Sequence, residues 1–112
     1  MADESRLAYE KAVDLFAQGE AEEACQALLR LIAENPQFSD AYESLGMMYY
    51  KRGLLDKAIE WTTKLAKICP DNAMAHTNLS IFYMKSGMKE KAEEEKALAT
   101  VIKFQNLGKT GK

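Results

Sequence analysis

The sequence predicts an all-α chain, an α-solenoid of three helix-turn-helix hairpins and six helices, and three spacings carry that expectation. Gly19, Gly53 and Gly87 recur every 34 residues, and Ala24, Ala58 and Ala92 keep the same interval. Pro36 and Pro70 share it, with Phe104 taking the third place in that series. Three residue types on one period mark a repeat architecture, in which each unit buries its apolar face only against its neighbours.

Each landmark has a local physical reason. A glycine after a run of helical periodicity supplies the left-handed conformation that ends a helix without a Cβ penalty. An alanine five residues later lets the returning helix approach closely, and proline then stops that helix because it has no N–H to donate. Helices are expected at 5–18, 21–34, 39–52, 55–68, 73–86 and 89–105. Asp71 and Asn72 are candidate caps for the fifth and Ser39 for the third. Residues 1–105 form one domain with repeats at 5–38, 39–72 and 73–105, followed by a flexible tail at 106–112.

Composition narrows the function class. Of 112 residues, 47% are hydrophobic and 29% charged, the balance of a folded helical protein. A net charge of −2 gives no basis for neutralising a phosphate backbone, so nucleic acid is not an expected partner. No run of about 18 apolar residues exists to enter a membrane and the first ten residues lack a signal-peptide core, so a cytoplasmic location is expected. Cys25 and Cys69 stand far apart inside helical patterns, as small buried apolar residues. No phosphate loop, nucleophile elbow or metal spacing occurs, and His76 is the sole histidine. Neither catalysis, a cofactor nor a metal is expected.

The middle repeat resembles the tetratricopeptide pattern, with Tyr42, Leu45, Gly46, Tyr49, Ala58 and Pro70 at its signature places. The third keeps His76, Leu79, Ser80, Tyr83 and Ala92; the first keeps Ala8, Ala12, Leu15, Ala24, Leu28 and Pro36. Lys11, Thr62 and Lys96 depart from it, standing where Leu or a bulky aromatic is usual. The resemblance implies a right-handed superhelix and a protein or peptide partner, in the manner of an adaptor, scaffold or co-chaperone.

With repeats numbered from Ser5, Ser39 and Ala73, positions 4, 7, 8 and 11 face the second helix of the hairpin. Positions 2, 5, 9 and 12 fall on another arc, which the resemblance implies is the concave groove. It would hold Arg6, Tyr9, Val13 and Phe16, then Asp40, Glu43, Met47 and Tyr50, then Met74, Thr77, Ile81 and Met84. Val13, Met47 and Ile81 are divided between core and groove, whereas Tyr9, Phe16, Tyr50, Met74 and Met84 read as groove. A Met- and Tyr-rich concavity suits an apolar or amphipathic polypeptide.

Grooves of this family that clamp a C-terminal carboxylate resemble one another in a set of Lys, Arg and Asn residues. Here those places hold Tyr9, Val13, Ser44, Met74 and Asn78, so a carboxylate would lose water without gaining a cationic partner. Three-repeat bacterial secretion chaperones are similar in their apolar groove, but carry an N-terminal helical region with no counterpart here.

The remaining residues read as packing or solvation. His76 falls on the hairpin-facing arc as a packed aromatic substitute, and Glu93, Glu94 and Glu95 read as a solvated face. Trp61 is expected to be buried against the next hairpin, with a convex-side partner contact as the alternative. In the last helix Ala97, Val101 and Phe104 cluster opposite the inward face of Ala92 and Ala99. Covering Val101 and Phe104 is worth roughly 3–5 kcal/mol. A symmetric homodimer through this surface is therefore the alternative mode of association, with the tail Gln105 to Lys112 folding back or a docked partner as the other ways to cover it.

Overall fold

The computed structural model describes residues 2–110, with side chains from Glu4 to Gly108. Six helices follow one another: α1 (Ala2–Ala17), α2 (Ala21–Glu34), α3 (Ser39–Lys51), α4 (Leu55–Ile68), α5 (Ala73–Lys85) and α6 (Lys89–Thr110). Among the described residues they pair as three hairpins, α1 with α2, α3 with α4 and α5 with α6. The hairpins stack because α2 packs on α3 and α4 on α5. The radius of gyration, 14.7 Å, exceeds the ~13 Å of an equally long compact domain, as a stack of layers should.

The hairpin turns are three copies of one device. Gly19, Gly53 and Gly87 adopt φ of +91°, +80° and +80°. The next residue's N–H then reaches back five residues, from Glu20 to Leu15, Leu54 to Tyr49 and Met88 to Tyr83, at 2.8–2.9 Å. This is the Schellman arrangement, with glycine at the left-handed position. Asn72 caps α5, its side chain accepting from the Ala75 N–H at 3.2 Å, so Asn72 and not Asp71 is the cap. Ser39 does not cap α3: it is already helical, and Phe38 precedes it without a side-chain bond.

Proline sets where the second helix of each of the first two hairpins stops. Helices α2 and α4 end two residues before Pro36 and Pro70. At the third place Phe104 has both an N–H and an unrestricted ring, so α6 continues over 22 residues to Thr110. The expected flexible tail from 106 is thus helical through 110, and Gly111 and Lys112 lie outside the described residues. Asn106 ties this extension down by donating to the Asp71 carbonyl at 3.2 Å.

The hairpin-facing arc is buried as the wheel predicts in the middle repeat, where Tyr42, Leu45, Gly46 and Tyr49 are all covered. Tyr42 also donates its hydroxyl to the Pro36 carbonyl at 2.8 Å, fastening α3 to the loop before it. The alanines inside the turns leave no exposed surface: Ala24 and Ala58 are at 0% and Ala92 at 1%. Cys25 is buried and Cys69 partly so. Across the first junction Arg52 donates to the Glu22 carboxylate at 2.8 Å and to the Cys25 sulfur at 3.5 Å. That sulfur contact, with Glu22 adding to it, holds the Arg52 guanidinium above its ordinary pKa.

Thr62, one of the departures from the family pattern, has a steric reason. A Cβ on Gly46 would collide with the Thr62 Oγ1, and Thr62 is itself buried. The two residues form a tight α3–α4 crossing that a larger side chain at either place would force apart. Gly46→Ala should gain at most about 1 kcal/mol of helix propensity but lose about 1–3 kcal/mol to overpacking. Denaturant titration is expected to show net destabilisation, and a smaller penalty when Thr62 is Ala, as coupled neighbours require. A second test concerns pH. Burial pushes the Tyr49 phenol above its ordinary value, Cys25 adding to the shift and Arg52 opposing it. The folded state therefore holds this proton more tightly, and Tyr49 contributes stability that is complete below about pH 10 and declines as pH rises through the folded value. Tyr49→Phe should lose less stability than the parent between neutral pH and about pH 11.

Candidate protein-binding groove

The twelve groove positions lie on α1, α3 and α5, but the structure divides them into two kinds of surface. In the first two repeats most are engaged with their own neighbours. Arg6 donates to Asp40 at 2.9 Å and its guanidinium stands 5.1 Å from both the Tyr9 and Phe38 ring centres. The Tyr9 hydroxyl and Ser44 Oγ are 2.7 Å apart. Tyr50 packs against the Phe82 ring at 4.9 Å, and Phe16 and Met47 are likewise half-buried on the core. Glu43 and Thr77 are intermediate.

The third repeat is different: Met74 is 51% exposed, Ile81 42% and Met84 47%, joined from the first repeat by Val13 at 38%. The expectation is thus inverted at several positions. Tyr9, Phe16 and Tyr50, read as groove residues, are partly core. Val13 and Ile81, divided between core and groove, are open. The reason is distance along the stack. A wheel gives the direction of a side chain, but the next hairpin slides over positions 5 and 12 of the repeat before it, and only the last repeat lacks that cover among the described residues.

The places of a carboxylate clamp are filled as the sequence indicates. Tyr9 and Ser44 satisfy each other, Asn78 is buried, and Val13 and Met74 present only apolar atoms. No cation stands at any of them.

Two pairings were missed by sequence reasoning. His76 lies 2.7 Å from the Glu95 carboxylate through Nδ1, with the His76 side chain almost covered. Glu95 therefore turns inward and does not belong to the solvated face formed by its neighbours Glu93 and Glu94. The equivalent pair one repeat earlier is Tyr42 and Trp61, whose rings lie 5.9 Å apart. Trp61 is half-buried against the core, its ring meeting Tyr42 of its own hairpin. The signal was available in the 34-residue register, since position 4 and position 23 co-occur as Ala8/Ala27, Tyr42/Trp61 and His76/Glu95.

At the last helix Val101 is 50% exposed and Phe104 70%, with Ala97 also exposed, so these three form an open apolar surface. No helix of the described residues is long and apolar enough to cross a membrane.

Hairpin geometry, the glycine-ended turns and the buried alanines at 24, 58 and 92 define a helical repeat protein. The chain belongs to the tetratricopeptide repeat family, whose model matches residues 9–73. No curated protein matches it. Among solved structures it is similar to MamA, at 29% identity and a TM-score of 0.88 over 93% of this chain and 61% of that one. It is also similar to YrrB, a TPR protein with an unusual peptide-binding site, at 26% identity and a TM-score of 0.79 over 88% of this chain and 50% of that one. With SycD, the type III secretion translocator chaperone of Yersinia enterocolitica, it shares the fold, at 20% identity and a TM-score of 0.85 over 91% and 76% of the two chains. The chain thus spans 61% of the length of MamA and half that of YrrB.

Proposed function

We propose that this chain is a non-catalytic protein-interaction module whose concave face takes an apolar or amphipathic polypeptide segment, as an adaptor, scaffold or co-chaperone does. The observation that carries the reading is the exposure of Met74, Ile81 and Met84 on one face of α5, with Val13 exposed on α1. Methionine repacks around differing ligands, so such a face tolerates variation in the bound side chains. The engaged part of the groove, around Arg6, Tyr9 and Asp40, supplies a fixed polar edge. Family membership supports the class, and a SycD structure in complex with a peptide of the translocator YopD shows that such a fold accommodates a peptide. A cytoplasmic location belongs to the same proposal.

The test is a library of amphipathic peptides scored against the parent chain and a Val13→Glu, Met74→Glu variant. Both side chains are open, so helical content and melting should be unchanged while binding falls by at least about tenfold. Unchanged binding would place the peptide elsewhere. Affinity should vary only modestly with ionic strength, because the contacts are apolar.

A second reading rests on Val101 and Phe104, whose exposure leaves an apolar surface suited to a symmetric homodimer. Sedimentation equilibrium of the parent and a Val101→Glu, Phe104→Glu variant decides it. A dimer lost in the variant supports this surface, and a dimer retained there rules it out.

A further inference from the structure

The 34-residue register exposes a relationship between the two ends of the stack. At each interior junction the first helix of one hairpin lies in a socket formed by both helices of the hairpin before it. In α2 and α4 the socket wall is apolar or small and largely covered: Cys25 and Ile59, Leu28 and Thr62, Ile32 and Ala66. The equivalent residues of α6 are Glu93, Lys96 and Thr100, all exposed. Together with α5 they enclose an open cavity of about 460 Å³, floored by Ile81, Met84 and Ala99 and rimmed by Lys85, Lys96 and Lys103. Lys96 is one of the departures from the family pattern, and its place explains it.

The opposite end carries the helix face that would fill such a socket. In α3 and α5 that face is Ala41 and Ala75, Ser44 and Asn78, Met48 and Phe82, of which all but Ser44 are buried. On α1 the same positions are Leu7, Glu10 and Asp14, all exposed, with Leu7 at 57%. The substitutions at the two ends are of opposite sign: carboxylates on the inserting face, three lysines and one glutamate around the socket. Both retain an apolar centre, Leu7 on one and Ile81 with Met84 on the other.

We infer that α1 of one copy docks in the α5–α6 socket of the next, so that copies of this chain associate head to tail in continuation of the solenoid. The interior junctions give the register. Tyr9 meets Ser44 and Tyr50 meets Phe82 within the chain. The same steps bring Glu10 of one copy to Thr77 of the next, and Asp14 to the Met84–Lys85 end of α5. Glu10 and Asp14 are then close to the lysine rim, where opposite charge both fixes orientation and rejects the reverse docking. Such an interface is heterologous and does not close on itself, so it yields open chains of copies and no defined dimer. The socket shares Ile81 and Met84 with the proposed peptide groove, but Val13 and Met74, the test residues of that groove, line neither docking surface, so the two readings fail separately.

Charge reversal at one end at a time tests it. In sedimentation velocity at low salt, the parent should show an average mass that rises continuously with concentration into the millimolar range and falls on adding salt. Lys96→Glu, Lys103→Glu should be monomeric at every concentration, and so should Glu10→Lys, Asp14→Lys. All four sites are exposed, so circular dichroism should report unchanged folding in both. Mixed one to one, the two variants should associate again, because the acidic α1 face of one meets the lysine rim of the other. A parent that remains monomeric throughout shows two polar end caps only and overturns the proposal. So does association that survives either reversal, or a mixture that stays monomeric. A Val101→Glu, Phe104→Glu variant should grow as the parent does, which separates this interface from the symmetric one.

Discussion

Ala24, Ala58 and Ala92 carry a single methyl group each, and in all three hairpins that methyl is covered by the helix opposite. The separation of the paired helices follows from how little these side chains interpose. Ala12, Gly46 and Ser80 answer them from the first helix of each pair, and at Gly46 the approach leaves no room even for a Cβ. With the pair spacing held constant, every hairpin offers its successor the same recess. That constancy turns three local turns into a stack, because a hairpin of a different width would present a recess that the next first helix did not fit.

Much of the fold was legible because its determinants are local. A left-handed glycine, a proline and an alanine act over five or six residues, and their periodic recurrence needs no knowledge of tertiary contacts. The end of α6 illustrates the limit of that logic. Phe104 stands in the place of proline, and the helix expected to end at 105 instead continues to Thr110. The physical agent of termination is the missing N–H, and a phenylalanine does not supply it. Ser39 shows the same weakness at a helix start, where a good capping residue sits one position inside the helix and the cap has none.

A helical wheel gives the arc of the expected groove but not how much of it is covered. Helical periodicity places Tyr9, Tyr50 and Met84 on one arc. How much of each remains open depends on the next hairpin, which covers Tyr50 with Phe82, whereas among the described residues no hairpin follows to cover Met84. Pairings across a hairpin were within reach of the repeat register, as position 4 and position 23 show, but they require comparing repeats with one another instead of reading each along its own wheel.

Among the described residues every substantial contact between hairpins joins neighbours, α1 and α2 with α3, and α4 with α5. This connectivity shapes motion as well as architecture. The middle hairpin is braced on two sides and the outer ones on a single side, so the free energy of local opening rises from both ends toward α3 and α4. Amide hydrogens at the outer helices exchange through partial unravelling, while those beside Leu45 and Leu65 wait for the whole stack to come apart. Thermal fluctuation thus reaches the outer hairpins first, and the interior layer keeps the spacing to which they return.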